Sequence, residues 1–160
     1  MKRHHLLSIS AITVYAALSG SAPGQQMGEH KIFTPTNIKW GPAPAPLPGG
    51  AQAAVLYGDP TKDETFALRL KVSKAYHIPP HTHPKPEIVT VVSGVVRLGM
   101  GATDDHGKAQ VLPAGSFFAL PPGEAHYFFA DTDAVVQING SGPWGIDYLD
   151  KKNDPRARTN

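Results

Sequence analysis

Residues 81–87 read HTHPKPE: two histidines one residue apart and a glutamate four places after the second. On an extended strand, side chains two apart share a face and their Cα atoms stand roughly 6–7 Å apart, so two imidazoles can converge on one ion. Thr82 then points away, Pro84 and Pro86 bend or stiffen the chain, and Glu87 opens the next run with a carboxylate able to turn back to the same point. The fourth member is His126, which follows the turn PPGEAH and can enter from a neighbouring strand. Three neutral imidazoles and one carboxylate suit a divalent transition metal with one or two positions left for water or a substrate. Any one histidine alone is more often a surface or hydrogen-bonded residue. The case for a metal rests on the arrangement of His81, His83, Glu87 and His126.

These residues need strands to hold them. From Ala54 onward, short β-type runs alternate with turn residues. In TFALRLKVS, Phe66, Leu68, Leu70 and Val72 share one face while Arg69 and Lys71 take the other. EIVTVVSGVVRLGMG gives two strands broken at Ser93-Gly94, TDDHGK is a polar turn, and QVLP, AGSFFALPPG, AHYFFA, AVVQING and GIDYL follow. Turns recurring about every ten residues, with no convincing amphipathic helix, predict an all-β antiparallel sandwich or barrel over residues 54–150. Residues 25–53 include WGPAPAPLPGG and predict an extended Pro/Gly-rich arm lying over the domain or a neighbouring subunit. Residues 151–160 read as a charged tail.

The remaining candidates carry blander expectations. Pro80 makes the register of His77 unreliable, so His77 is expected at the surface or a pocket rim. His106, beside Asp104 and Asp105, is expected at a solvated hairpin tip. Among the aromatics near the site (Tyr76, Phe117, Phe118, Tyr127, Phe128 and Phe129), most are expected in the core and some inward beside His126, with Met100 as a further lining residue. Trp144 and Tyr148 are expected to pack, or to reach a pocket mouth or dimer contact. No general acid or base stands out, so the catalytic residues are unknown.

The ordered motifs resemble the cupin superfamily. Its first motif, G-x5-H-x-H-x3-E-x6-G, falls on Ala75, His81, His83, Glu87 and Gly94; its second, G-x5-P-x-G-x2-H-x3-N, falls on Gly115, Pro121, Gly123, His126 and Ala130. Eight of the ten fixed positions match, including all four family metal ligands. The departures are Ala75 and Ala130; alanine at the first implies a backbone that does not need positive φ. The phrases LYGDP (residues 56–60) and GPWGIDYL (residues 142–149) also look like those of small exported bacterial cupins. The resemblance implies a single-domain cupin-type barrel (a double-stranded β-helix, or jelly roll) with one divalent ion, iron, manganese or nickel ahead of zinc or copper. It also implies a metal-dependent enzyme acting on a small organic molecule, a dioxygenase-like oxidoreductase ahead of an isomerase or lyase, and a homodimer. The alternative is a non-catalytic metal or small-ligand binding or sensor protein.

Residues 1–24 combine Lys2 and Arg3, an apolar run and then small residues, the order of a cleaved secretory signal peptide with its site near 22–24. That predicts a periplasmic or secreted protein with no stable membrane anchor after cleavage. The chain has 15 Lys+Arg and 13 Asp+Glu; residues 1–24 hold two of the bases and no acid, so the remainder is neutral. A neutral domain lacks the basic stripe that nucleic acid binding needs. With no cysteine, neither disulfides nor thiolate ligands are available.

Overall fold

The computed structural model describes residues 30–158. The expected signal peptide and residues 25–29 of the arm lie outside the described residues. Eleven strands run in chain order: β1 Gly41–Pro42, β2 Gln52–Tyr57, β3 Thr65–Val72, β4 His77–Thr82, β5 Glu87–Ser93, β6 Val95–Met100, β7 Gln110–Pro113, β8 Phe117–Leu120, β9 His126–Ala130, β10 Ala134–Ser141 and β11 Asp147–Tyr148. They form two antiparallel sheets, β1-β2-β3-β10-β5-β8 and β11-β4-β9-β6-β7. The chain is therefore all-β with the double-stranded β-helix architecture.

Alternation sets the inner faces. On β3 Phe66, Leu68, Leu70 and Val72 are buried, whereas Ala67, Arg69 and Lys71 are only half-buried. From the other strands, Val89, Val91, Val136 and Ile138 meet Ile78, Val96 and Phe128 in one core. Burying a side chain such as Leu68 completely contributes roughly 1.5–3 kcal/mol. Gly94, at φ +81°, makes the tight β5–β6 turn; a Cβ there would lie 2.3 Å from the Asp133 carbonyl oxygen, which explains the residue type.

Three expectations change. The first strand pairing begins before residue 54: Gln52 and Ala53 pair with Pro42 and Gly41, so part of the Pro-rich arm enters the sheet. The rest packs on its own barrel, with Leu47 buried, the Tyr76 hydroxyl donating to the Pro48 carbonyl (2.8 Å) and the Tyr148 hydroxyl to that of Pro46 (2.7 Å). Ala75 does take positive φ, +69°, contrary to the expectation from its residue type. Its amide donates to the Ala130 carbonyl (2.9 Å) and the Ala130 amide to that of Tyr76 (2.9 Å), so cross-strand bonding imposes the left-handed turn whichever residue stands there. Residues 151–158 hold two short 3₁₀ turns, Lys151–Asn153 and Pro155–Arg158, and the Arg156 guanidinium donates to the Ile146 carbonyl (3.0 Å).

Candidate metal centre

Three strands and one turn deliver the four residues. His81 lies near the end of β4 and pairs directly with His126, the first residue of β9. The ladder between these strands slips between Ile78 and His81, where Pro79 and Pro80 remove two amide donors, and resumes at the histidine pair. His83 stands just past β4, in the turn bent at Pro84 and Lys85, and Glu87 opens β5 in the opposite sheet. The Gly123 amide donates to the His83 carbonyl (2.9 Å), joining the turns of the two motifs. All four residues are buried: His81 and His126 at 2% exposure, His83 at 4% and Glu87 at 7%.

The rings meet around one point. Their centroids are 4.2 Å apart for His81 and His126, 5.0 Å for His81 and His83, and 5.3 Å for His83 and His126. One ligand nitrogen from each lies within 4.8 Å of the others. Each Nδ1 faces a backbone carbonyl: Pro79 (2.8 Å) for His81, Gly145 (2.6 Å) for His83 and Glu124 (3.0 Å) for His126. A carbonyl only accepts, so each Nδ1 carries the proton and each neutral ring presents the Nε2 lone pair. The Glu87 carboxylate lies 3.2 Å from His83 Nε2 and 3.3 Å from His126 Nε2. His83 Nε2 is nevertheless buried without a hydrogen-bond partner. Lone pairs turned toward a buried carboxylate require a positive charge between them, either protons or a cation. The donor set therefore fits a divalent metal.

The titration directions follow from this geometry. Burial first, then the neighbouring rings of His126 and His83, depress His81 to about 3. Burial pushes His83 down as well, but hydrogen bonding and attraction to Glu87 outweigh it, and its pKa lies above the ordinary imidazole value. Burial raises Glu87, and its contacts with His126 and His83 more than reverse that, holding the carboxyl well below the usual range.

Beside His81, Glu87 and His126 lies a cavity of about 30 Å³ with an almost wholly apolar wall that includes Leu70, Ile78, Phe118, Phe128, Val136 and Ile138. That is room for one or two water-sized molecules. Tyr76 also lines it, but its hydroxyl is engaged with Pro48. Of the expected lining residues, Phe118 and Phe128 are there. Phe117 and Met100 are not, at 61% and 48% exposure, because alternation turns them outward. Tyr127 and Phe129 do not line the cavity either: Tyr127 is buried, as expected, but its hydroxyl donates to the Asp105 carbonyl (3.2 Å), and His77 stacks on Phe129 (centroids 4.4 Å apart) with Nε2 2.9 Å from Asp104. The slip at Pro79-Pro80 separates His77 from the site. His106 is exposed but folded back, its Nε2 2.8 Å from Asp131, which Arg97 also holds. Histidine spacing gave no hint of Gly145 and Trp144 as neighbours of His83; the indole lies with its centroid 5.6 Å from that ring.

Comparison with known proteins agrees with this architecture. The family model described as "Cupin domain" matches residues 69–138. Among solved structures, the polyketide cyclase RemF from Streptomyces resistomycificus is 20% identical with TM-score 0.65, covering 79% of this chain and 90% of its own. An RmlC-like cupin from Shewanella frigidimarina is 21% identical with TM-score 0.55, covering 73% and 94%. KdgF from Halomonas sp. is 22% identical with TM-score 0.53, covering 68% and 92%. No curated protein matches the sequence. At these identities the structural likeness speaks for the fold alone. With the family match spanning both motifs and the paired antiparallel sheets around the histidines, it leads to one conclusion: residues 69–138 form a cupin domain.

Proposed function

We propose that this protein is an exported cupin that holds one divalent transition metal through His81, His83, His126 and Glu87 and uses it as a dioxygenase-like enzyme on a small organic molecule. The observation that carries the metal reading is the set of three buried imidazoles, each with Nδ1 turned to a backbone carbonyl, around the Glu87 carboxylate. The chemistry such an ion supplies is polarisation of an oxygen donor, and its exchangeable positions admit substrate. The chain's own part is to orient the donors and to surround the site with hydrocarbon: away from His81, Glu87 and His126 the cavity wall carries no charged side chain and favours an apolar portion of the ligand there. Export rests on the order of residue types in positions 1–24.

Metal analysis of protein purified from its native compartment tests the central point. Wild type carries stoichiometric metal and Glu87→Ala carries much less; a metal-free wild type would refute the reading. Oxygen uptake across phenols, diketones and sugar acids, with iron, manganese or nickel restored, then tests the reaction class. One observation favours a second reading, non-catalytic binding. The cavity is about 30 Å³, and the only hydroxyl on its wall among the described residues, that of Tyr76, is already hydrogen-bonded. Tight ligand binding with no turnover on the panel would select that reading.

A further inference from the structure

The phrases LYGDP and GPWGIDYL lie outside both metal motifs, and the fold brings them together. The Trp144 amide donates to the Pro60 carbonyl (2.7 Å) and the Gly142 amide to that of Glu64 (2.9 Å). The approach is so close that a Cβ on Gly142 would stand 2.1 Å from the Lys62 carbonyl oxygen and 2.8 Å from that of Pro60. Lys85, two residues after His83, sends its ammonium to Asp63 and to the Gly142 carbonyl. Arg156 holds the far side through the Ile146 carbonyl. Residues 142–146 thus form a strap fixed at several points by groups that are not metal ligands.

The inner side of this strap touches His83 twice. The Gly145 carbonyl accepts from Nδ1 at 2.6 Å, and the Trp144 indole lies over the imidazole, with centroids 5.6 Å apart and planes 27° apart. His83 needs such support because it lies beyond β4, where no ladder fixes its ring. His81 and His126, by contrast, face each other across a strand pair. The Trp144 Nε1–H is buried without a hydrogen-bond partner, a cost that a hydrocarbon side chain in the same place would avoid. What the position uses is the flat aromatic face. One hydrogen bond alone leaves the ring free to swing about it; a bond plus a stacked plane fixes the direction of Nε2.

We propose that Trp144 is a positioning residue of the metal centre: stacked on His83 and carried by the strap, it fixes the orientation of this ligand and so the affinity for metal. The inference rests on the metal reading above. Partners that orient metal ligands typically contribute 10–100-fold to affinity, which sets the expected size of the effect. The test uses the full chain, with Co²⁺ as the probe and four proteins: wild type, Trp144→Phe, Trp144→Leu and Trp40→Leu. Trp40 is the control, an indole that instead lies under the Lys71 ammonium (4.7 Å). The readouts are Co²⁺ affinity, its ligand-field absorption spectrum and the urea midpoint. Trp144→Phe keeps wild-type affinity and spectrum, because the stacked face remains. Trp144→Leu loses 10–100-fold in affinity and its spectrum shifts. Trp40→Leu changes the urea midpoint at most. Wild-type affinity and spectrum in a folded Trp144→Leu would overturn the proposal, as would an equal affinity loss in Trp40→Leu. If Trp144→Leu does not fold, Gly142→Ala, which displaces the strap and keeps the indole, takes its place with the same expected loss; wild-type affinity there overturns the proposal. A wild type that binds no Co²⁺ sinks the metal reading itself, an outcome separate from wild-type binding that survives loss of the indole.

Discussion

Replacing Ala75 with glycine is expected to stabilise this protein. Ala75 holds φ at +69° because the Ala75–Ala130 and Ala130–Tyr76 backbone bonds require it. For an L-residue with a Cβ, that conformation costs roughly 1–2 kcal/mol. Glycine removes this strain but adds freedom to the unfolded chain, which costs about 0.4–1 kcal/mol. The side chain is exposed, so no packing is lost, and both backbone bonds remain. The difference is a gain of about 0.5–1 kcal/mol. For a domain of this size, that raises Tm by about 1–4 °C. Urea unfolding of the metal-free protein is the assay, with midpoint and slope fitted for both variants at one pH; the midpoint rises and the slope stays the same. A lower midpoint at equal slope would refute the reasoning, because the left-handed alanine would then carry no strain.

The acid limb of stability in metal-free protein should depend on His81. With its folded pKa depressed to about 3, the unfolded chain takes up a proton below the ordinary value of 6.5 that the folded chain refuses, so stability falls as pH drops from 6.5 toward 3. In urea midpoints measured across that window, His81→Gln should show a shallower fall, the difference reaching a few kcal/mol at the acid end; parallel curves would contradict it. Stripping metal with a chelator should lower Tm: a site saturated at about 100 times its Kd contributes about 2.7 kcal/mol, which calorimetry with and without added metal would read. Tyr148→Phe and Tyr76→Phe each remove one hydroxyl bond to the arm, at 2.7 Å and 2.8 Å, and should each cost about 1 kcal/mol. Limited proteolysis of these variants should show faster cutting between residues 40 and 50 than in wild type.

The four converging residues were legible because their geometry is local. A two-residue period puts His81 and His83 on one side, a proline turn returns Glu87, and the PPGEAH turn introduces His126. The fold class was legible for the same reason, through the alternation on β3 and the regular turns. What escaped was set by contacts distant in sequence. The carbonyl that fixes His83 comes from Gly145, 62 residues away. The sign of φ at Ala75 is dictated by Ala130, not by its own side chain. The direction of His77 depended on how the strand absorbs Pro79 and Pro80. A sequence containing both prolines does not reveal on which residue the pairing resumes. Met100 and Phe117 were misplaced because one step of alternation separates a lining position from an exposed one.

The Pro-rich arm has a consequence for self-association. β2 would be the edge of its sheet but for β1, which covers it with only Gly41 and Pro42. Beyond these two residues come Pro44, Pro46 and Pro48, whose nitrogens carry no hydrogen. Of residues 41–48 only Gly41, Ala43, Ala45 and Leu47 carry an amide hydrogen, and that of Leu47 is already donated to the Pro44 carbonyl (3.0 Å), so an incoming strand finds only a broken ladder to extend. The two tyrosine hydroxyls supply donors to those carbonyls from the barrel's own interior. The arm thus works as a selvedge: it finishes one margin of the fabric so that a chain without cysteine to staple it does not grow into its neighbours from that side.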